Sequence, residues 1–144
     1  MERGSHGGYA TITGQVLELE RQYTASPASV WKAIVDPRDL ERWLFARVDL
    51  DLRVGGKILF RFLVPPYAQP VATITRLDPG SLLEYRWSKH NAPSLLCWQV
   101  TAASDGGSSL ALRQTLESGD ILDLAAGWHY HLDVMRALVD SDAA

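Results

Sequence analysis

Cysteine is nearly absent. Cys97 is the only one in 144 residues, so no internal disulfide can form, and with no apolar stretch of signal-peptide type before the first strand-like segment the chain reads as cytoplasmic. Positive charge is not in excess either. Fourteen Lys and Arg stand against seventeen Asp and Glu, a formal net charge of −3, and without a basic run no nucleic-acid partner is expected. Long apolar runs are missing too: Ile58-Leu59-Phe60 and Phe62-Leu63-Val64 are split by Arg61, far short of the ~20 residues a membrane-spanning helix needs. No membrane partner is expected. Metal and cofactor signatures are also lacking. There is no H-x-x-x-H or C-x-x-C spacing, and the glycine pairs precede strands instead of opening helices, so neither a metal nor a phosphate-bearing cofactor is expected.

What is present is a near-average globular composition, 47% apolar and 22% charged, in a chain long enough for one core. The unusual feature is aromatic usage: five Trp, five Tyr and three Phe. Residues 1–9, with three glycines and no periodicity, read as a flexible leader to a single domain over 10–144. From Gln15 to Thr24, Leu17, Leu19, Arg21 and Tyr23 alternate with Val16, Glu18, Glu20 and Gln22, the period of a half-buried strand. Ser26-Pro27 and then Asp36-Pro37 each supply a capping side chain followed by a first-turn proline, predicting two short helices in tandem. Six strand segments follow, Val48–Arg53, Lys57–Val64, Val71–Leu77, Leu82–Trp87, Leu95–Thr101 and Ser109–Leu116, separated by Gly- and Pro-bearing turns. Ile121, Leu124, Ala125, Trp128, Leu132, Met135, Leu138 and Val139 then recur every three or four residues, the pattern of one long amphipathic helix. This order has no βαβ alternation. It predicts an α+β domain whose curved antiparallel sheet closes on the last helix.

The segment Val30-Trp31-x-Ala33-x-x-Asp36-Pro37-x-x-Leu40-x-x-Trp43 resembles the N-terminal signature of bacterial START-like (SRPBCC) proteins, in the group named after the activator of the heat-shock protein 90 ATPase. Gly55-Gly56, Leu83-x-Tyr85-x-Trp87, Gly106-Gly107 and Gly127-Trp128-x-x-x-Leu132 follow in the family's order. The resemblance runs from about Gln15 to Val139. It implies the helix-grip fold, a bent seven-stranded antiparallel sheet wrapped around a long C-terminal helix, with two short helices after the first strand and a hydrophobic ligand cavity inside. Two departures stand out. Pro65-Pro66-Tyr67-Ala68 replaces a glycine-led turn and is expected to stiffen or narrow the cavity entrance, and Gln114 takes the place of a histidine common on the last strand. Chaperone activation in eukaryotic relatives also uses a preceding domain, so the fold is expected to transfer and that activity is not.

With the apolar side of each strand turned toward the helix, Phe60, Phe62, Tyr85, Trp87 and Trp98 face inward, met by Trp128, Leu132 and Met135. Such a set is either packed core or the wall of a pocket, and aromatic rings with polar tips suit the second role. Gln114 continues the Leu110, Leu112 face inward, where its amide must find a structural or a ligand partner. Arg21 is similarly placed, with a salt bridge to a strand-end carboxylate expected. His129 and His131, two apart on a helix, project ~200° from each other and cannot share a ligand. His131 is the one near the apolar side, a packing residue or an acid/base. Cys97 alternates outward with no base beside it, which argues against a nucleophile.

These residues favour a domain that binds a small hydrophobic metabolite, aromatic ones included, as monomer or homodimer. One alternative is a polyketide cyclase- or hydrolase-like enzyme, with His131 as acid/base and Tyr85, Gln114 or Arg21 orienting a carbonyl or phenol. Another is a protein-interaction or co-chaperone-like module presenting Trp43 or Tyr67. Trp31 and Trp43 themselves are expected to anchor the two short helices.

Overall fold

A computed structural model describes residues 9–13, 16–89, 92–116 and 121–142. Eight antiparallel strands form one sheet, β1 (Tyr9–Thr13), β2 (Val16–Tyr23), β3 (Ala46–Leu50), β4 (Lys57–Phe62), β5 (Val71–Asp78), β6 (Leu82–Lys89), β7 (Ala92–Ala102) and β8 (Ser108–Leu116). Their spatial order is β1-β2-β8-β7-β6-β5-β4-β3. Between β2 and β3 lie two short helices, α1 (Pro27–Val35) and α2 (Pro37–Leu44), and the chain ends in the long helix α3 (Ile121–Asp142). The seven expected strands and three helices are all present. The eighth strand is a correction. Tyr9, assigned to the leader, opens β1, which pairs with β2 from Tyr9 opposite Glu20 to Thr13 opposite Val16; residues 1–8 lie outside the described residues.

The two short helices start where their caps dictate. Ser26 accepts a hydrogen bond from the Ser29 N–H at 3.2 Å with Pro27 in the first turn, satisfying a donor that the helix leaves without an internal partner. Asp36 ends α1 in extended backbone and caps α2, taking the Arg38 N–H at 2.8 Å and the Asp39 N–H at 3.3 Å. Phe45, with φ 58, stops α2 in the left-handed region and drops the chain into β3. The turn before β4 needs glycine at two successive positions. Gly55 has φ 84, and a Cβ on Gly56 would lie 2.0 Å from the Asp51 carbonyl oxygen, closer than any side chain could sit.

Alternation sets the sheet's faces. Leu17 and Leu19, Phe60 and Phe62, Leu83, Tyr85 and Trp87, Leu96, Trp98 and Val100, and Leu110 and Leu112 are all buried. The register of β5 against β6 slips between Ile74 and Arg76, a bulge of the kind that bends a strand. Helix α3 lies across the concave side, held to β2 by a row of polar contacts. Tyr23 donates its hydroxyl to the Leu132 carbonyl at 3.3 Å, the Asp140 carboxylate accepts the Thr24 and Ala25 N–H groups, each at 3.2 Å, and the Arg136 guanidinium sits 4.8 Å above the Tyr23 ring. No helix among the described residues is long and apolar enough to cross a membrane.

Candidate functional site

The concave side of the sheet gathers aromatic rings from four elements. β4 contributes Phe60 and Phe62, β6 contributes Tyr85 and Trp87, β7 contributes Trp98 and α3 contributes Trp128, all buried. Their contacts are mostly tilted or edge-to-face. Phe60 meets Trp87 at 5.0 Å between ring centres and Tyr85 at 5.8 Å, while Trp98 meets Trp128 at 5.3 Å with the planes 82° apart. These geometries bring the positive edge of one ring to the negative face of the next. Leu132 and Met135 are buried on α3 as well, so every expected inward residue lies in the core.

The polar tips of those rings do not point at random. Trp128 donates its indole N–H to Gln114 Oε1 at 2.7 Å, and Gln114 Nε2 donates to Ser94 Oγ at 2.9 Å. The same Ser94 oxygen accepts the Trp87 indole N–H at 2.8 Å. Nearby, Trp98 donates to the Tyr85 hydroxyl at 3.1 Å. Gln114 and Ser94 are both buried, and in surroundings of low dielectric such a chain of bonds holds its members firmly in place. Burial holds the Tyr85 hydroxyl well above the ordinary phenol range, the Trp98 N–H opposing it, so Tyr85 remains a neutral phenol.

Ser94 was missed from sequence because it precedes the segment expected as a strand. Its signal was there, since stepping back by two from Trp98 and Leu96 reaches Ser94 on the same face. Trp43 is a second omission. Its indole N–H does anchor the helix pair, donating to the Ala33 carbonyl at 2.7 Å, yet its ring also meets Trp98 at 5.9 Å. It belongs to the inner wall. Being buried, Trp43 is not a surface for a partner, whereas Tyr67 is 60% exposed.

The two histidines diverge as their spacing requires. His131 Nδ1 lies 3.0 Å from the Trp43 carbonyl oxygen, with the Phe45 ring 5.6 Å away, so it docks α3 on the end of α2. His129 faces the opposite way, its Nδ1 2.9 Å from Arg21 Nη2. Arg21 is almost fully buried and ion-pairs with Asp133 at 2.5 Å. Its carboxylate thus comes from α3, not from a strand end. The Arg21 donor fixes His129 Nδ1 as an acceptor, and burial followed by the Arg21 charge pulls the imidazole below its usual range, against the attraction of Asp133. At Cys97, burial and then the Glu84 carboxylate push the thiol up, the opposite of what a nucleophile requires. No cluster of metal-ligating side chains occurs among the described residues.

Space beside Trp43 is small. Where α1 and α2 meet the sheet, a cavity of about 10 Å³ remains between Trp43, Phe60, Tyr85, Trp98 and the aliphatic side chains around them. That is room for about one water molecule.

A curled antiparallel sheet closed on a C-terminal helix, with an aromatic interior between them, defines a helix-grip domain. Residues 24–140 match the family described as Activator of Hsp90 ATPase homolog 1-like protein, and the chain belongs to that family. Among solved structures, the fold is shared by protein CV1439 from Chromobacterium violaceum, with a TM-score of 0.74 and 22% identity over 89% of this chain and 99% of that one. CalU16 from Micromonospora echinospora has a TM-score of 0.72 and 23% identity over 98% of this chain and 87% of its own. DynU16, a protein of the dynemicin biosynthetic locus, has a TM-score of 0.79 and 17% identity over 91% of this chain. The match spans about half of DynU16, 49% of its chain. No curated protein matches the sequence significantly.

Proposed function

We propose that this domain binds a small hydrophobic metabolite bearing an aromatic ring, held between α3 and the concave face of the sheet. The observation that carries the reading is the convergence of the Trp87 and Trp128 indoles on one buried Gln114–Ser94 pair. Two apolar side chains would fill those positions without the cost of burying an amide and a hydroxyl. A polar pair inside an aromatic wall offers what a ligand phenol or carbonyl needs, an acceptor and donors beside flat apolar surface.

Ligand sites for drug-sized molecules have volumes of roughly 300 to 1,000 Å³, far above the cavity of about 10 Å³ beside Trp43. A ligand that reaches the rings beside Trp43 therefore parts them, and its own ring replaces the edge-to-face contacts that are lost. Binding is favoured over catalysis because His131 Nδ1 is engaged by the Trp43 carbonyl, a contact that docks α3 on α2. The origin of DynU16 in a biosynthetic locus agrees with a small-metabolite ligand. Cytoplasmic location, read from the single cysteine, is part of the proposal.

Native mass spectrometry tests it. Protein mixed with excess 1-naphthol, a bicyclic phenol that fits this chemistry, is expected to carry one molecule per chain and to lose it under denaturing spray. A bare chain mass throughout the titration would overturn the reading.

A further inference from the structure

The sheet ends on β3, which pairs only with β4 among the described residues. An open edge of this kind offers a row of unpaired backbone N–H and C=O groups. Which residues offer them follows from the register. The Leu63 N–H donates to the Phe45 carbonyl and the Asp51 N–H to the Lys57 carbonyl, so Phe45, Arg47, Asp49 and Asp51 turn their backbone groups toward β4. Strand alternation then turns those of Ala46, Val48 and Leu50 outward.

The side chains along this edge are only partly matched within the protomer. Arg47 lies directly opposite Arg61 on β4, a like-charge pair on the exposed face, which is unfavourable. Its acidic neighbour is Glu41 of α2, at 3.6 Å and with both side chains largely in water. Asp49 lies opposite Leu59 and, although exposed, has no ion-pair partner among the described residues.

We propose that β3 is the interface of a homodimer, in which two copies pair antiparallel about a two-fold axis at Val48. In that register Val48 faces Val48 of the second copy, with Ala46 facing Leu50 on either side. These are the residues whose backbone groups point outward, so about six hydrogen bonds can form across the axis. Arg47 of each copy then faces Asp49 of the other, as a non-hydrogen-bonded pair with its side chains close together. Asp49 gains the counter-charge it lacks, Arg47 gains a second carboxylate against the repulsion of Arg61, and the two sheets become continuous. Edges that avoid association carry charge of one sign or turn a charge inward. Here an outward Arg and an outward Asp two residues apart make the edge complementary to itself.

The test uses charge reversal on the full chain, read by sedimentation equilibrium at protein concentrations on the order of tens of micromolar, the range expected for an interface at the small end of the usual sizes. The native chain should sediment at twice its 15.9 kDa mass, less completely as salt is raised. Arg47→Asp places Asp against Asp at both positions and Asp49→Arg places Arg against Arg, so each variant alone should be monomeric. Mixing the two variants pairs Asp with Arg at both positions and should restore a dimer. Circular dichroism checks that each variant remains folded. A native chain that stays monomeric overturns the proposal. So does a dimer that survives either reversal, which would place the contact elsewhere, for instance along β1, and so does a mixture that stays monomeric.

Discussion

Trp128 on α3 donates its indole N–H to the side-chain oxygen of Gln114 on β8 across 2.7 Å. That bond joins the gripping helix to the sheet inside the core, where both side chains are buried. Gln114 passes the connection on to Ser94, and Ser94 to Trp87.

Replacing Gln114 by Leu keeps most of the volume and removes both ends of this relay. The Trp128 N–H is left buried without its acceptor, at a cost of about 1 to 3 kcal/mol. Urea unfolding should show a lower midpoint with an unchanged slope, since the surface exposed on unfolding is the same. An unchanged midpoint would mean that the relay does not stabilise the core.

The Arg21 and Asp133 pair should respond unequally to loss of either member. Asp133→Asn leaves a buried guanidinium without its counter-charge, while Arg21→Met removes the charge and fills the space. The Asp133 side chain is 50% exposed, so water softens the first loss, which is expected at about 1 to 2 kcal/mol. Arg21→Met should cost less than Asp133→Asn in the same denaturant titration. The reverse order would show that the guanidinium contributes through packing and its bond to His129.

His129 gives the domain a pH dependence of defined sign. Its folded-state affinity for protons is below the ordinary value of 6.5, through burial and then the Arg21 charge, with Asp133 opposing. Just below that value the unfolded chain binds the proton more readily than the folded one, so stability is fully present above the unfolded value and is lost as pH falls toward the folded one. Unfolding midpoints should fall between about pH 7.5 and about pH 5.5, and His129→Gln should flatten that part of the profile. If the variant retains the full slope, other groups are responsible.

Much of the fold was legible because its causes are local. Ser26-Pro27 and Asp36-Pro37 carry both the cap and the fixed backbone angle of a first turn, and they open α1 and α2 as read. Period-two alternation placed Phe60, Tyr85, Trp98 and Gln114 on the inner face, since a strand has only two faces to choose between. β1 escaped because the short Ala10-Thr11-Ile12-Thr13 stretch, placed in the domain, is too brief to show a period of its own, and only pairing with β2 reveals it as a strand. Partners at long range were not legible either. Arg21 was seen to need a carboxylate, but Asp133 lies 112 residues away on α3, and helical spacing alone could not show that Trp43 turns its ring toward Trp98. How far aromatic side chains fill their own interior depends on packing in three dimensions, which no residue pattern records.

The central claim, a ligand seated among these indoles, is tested most directly by the side-chain N–H signals of the five tryptophans in a 15N-labelled sample titrated with 1-naphthol. Trp→Phe variants assign the signals. The Trp87, Trp98 and Trp128 resonances should move together and saturate at one ligand per chain, while that of Trp31, whose side chain belongs to α1 at the margin of the core, stays in place. Five stationary signals, or a small common drift that never saturates, would contradict the account.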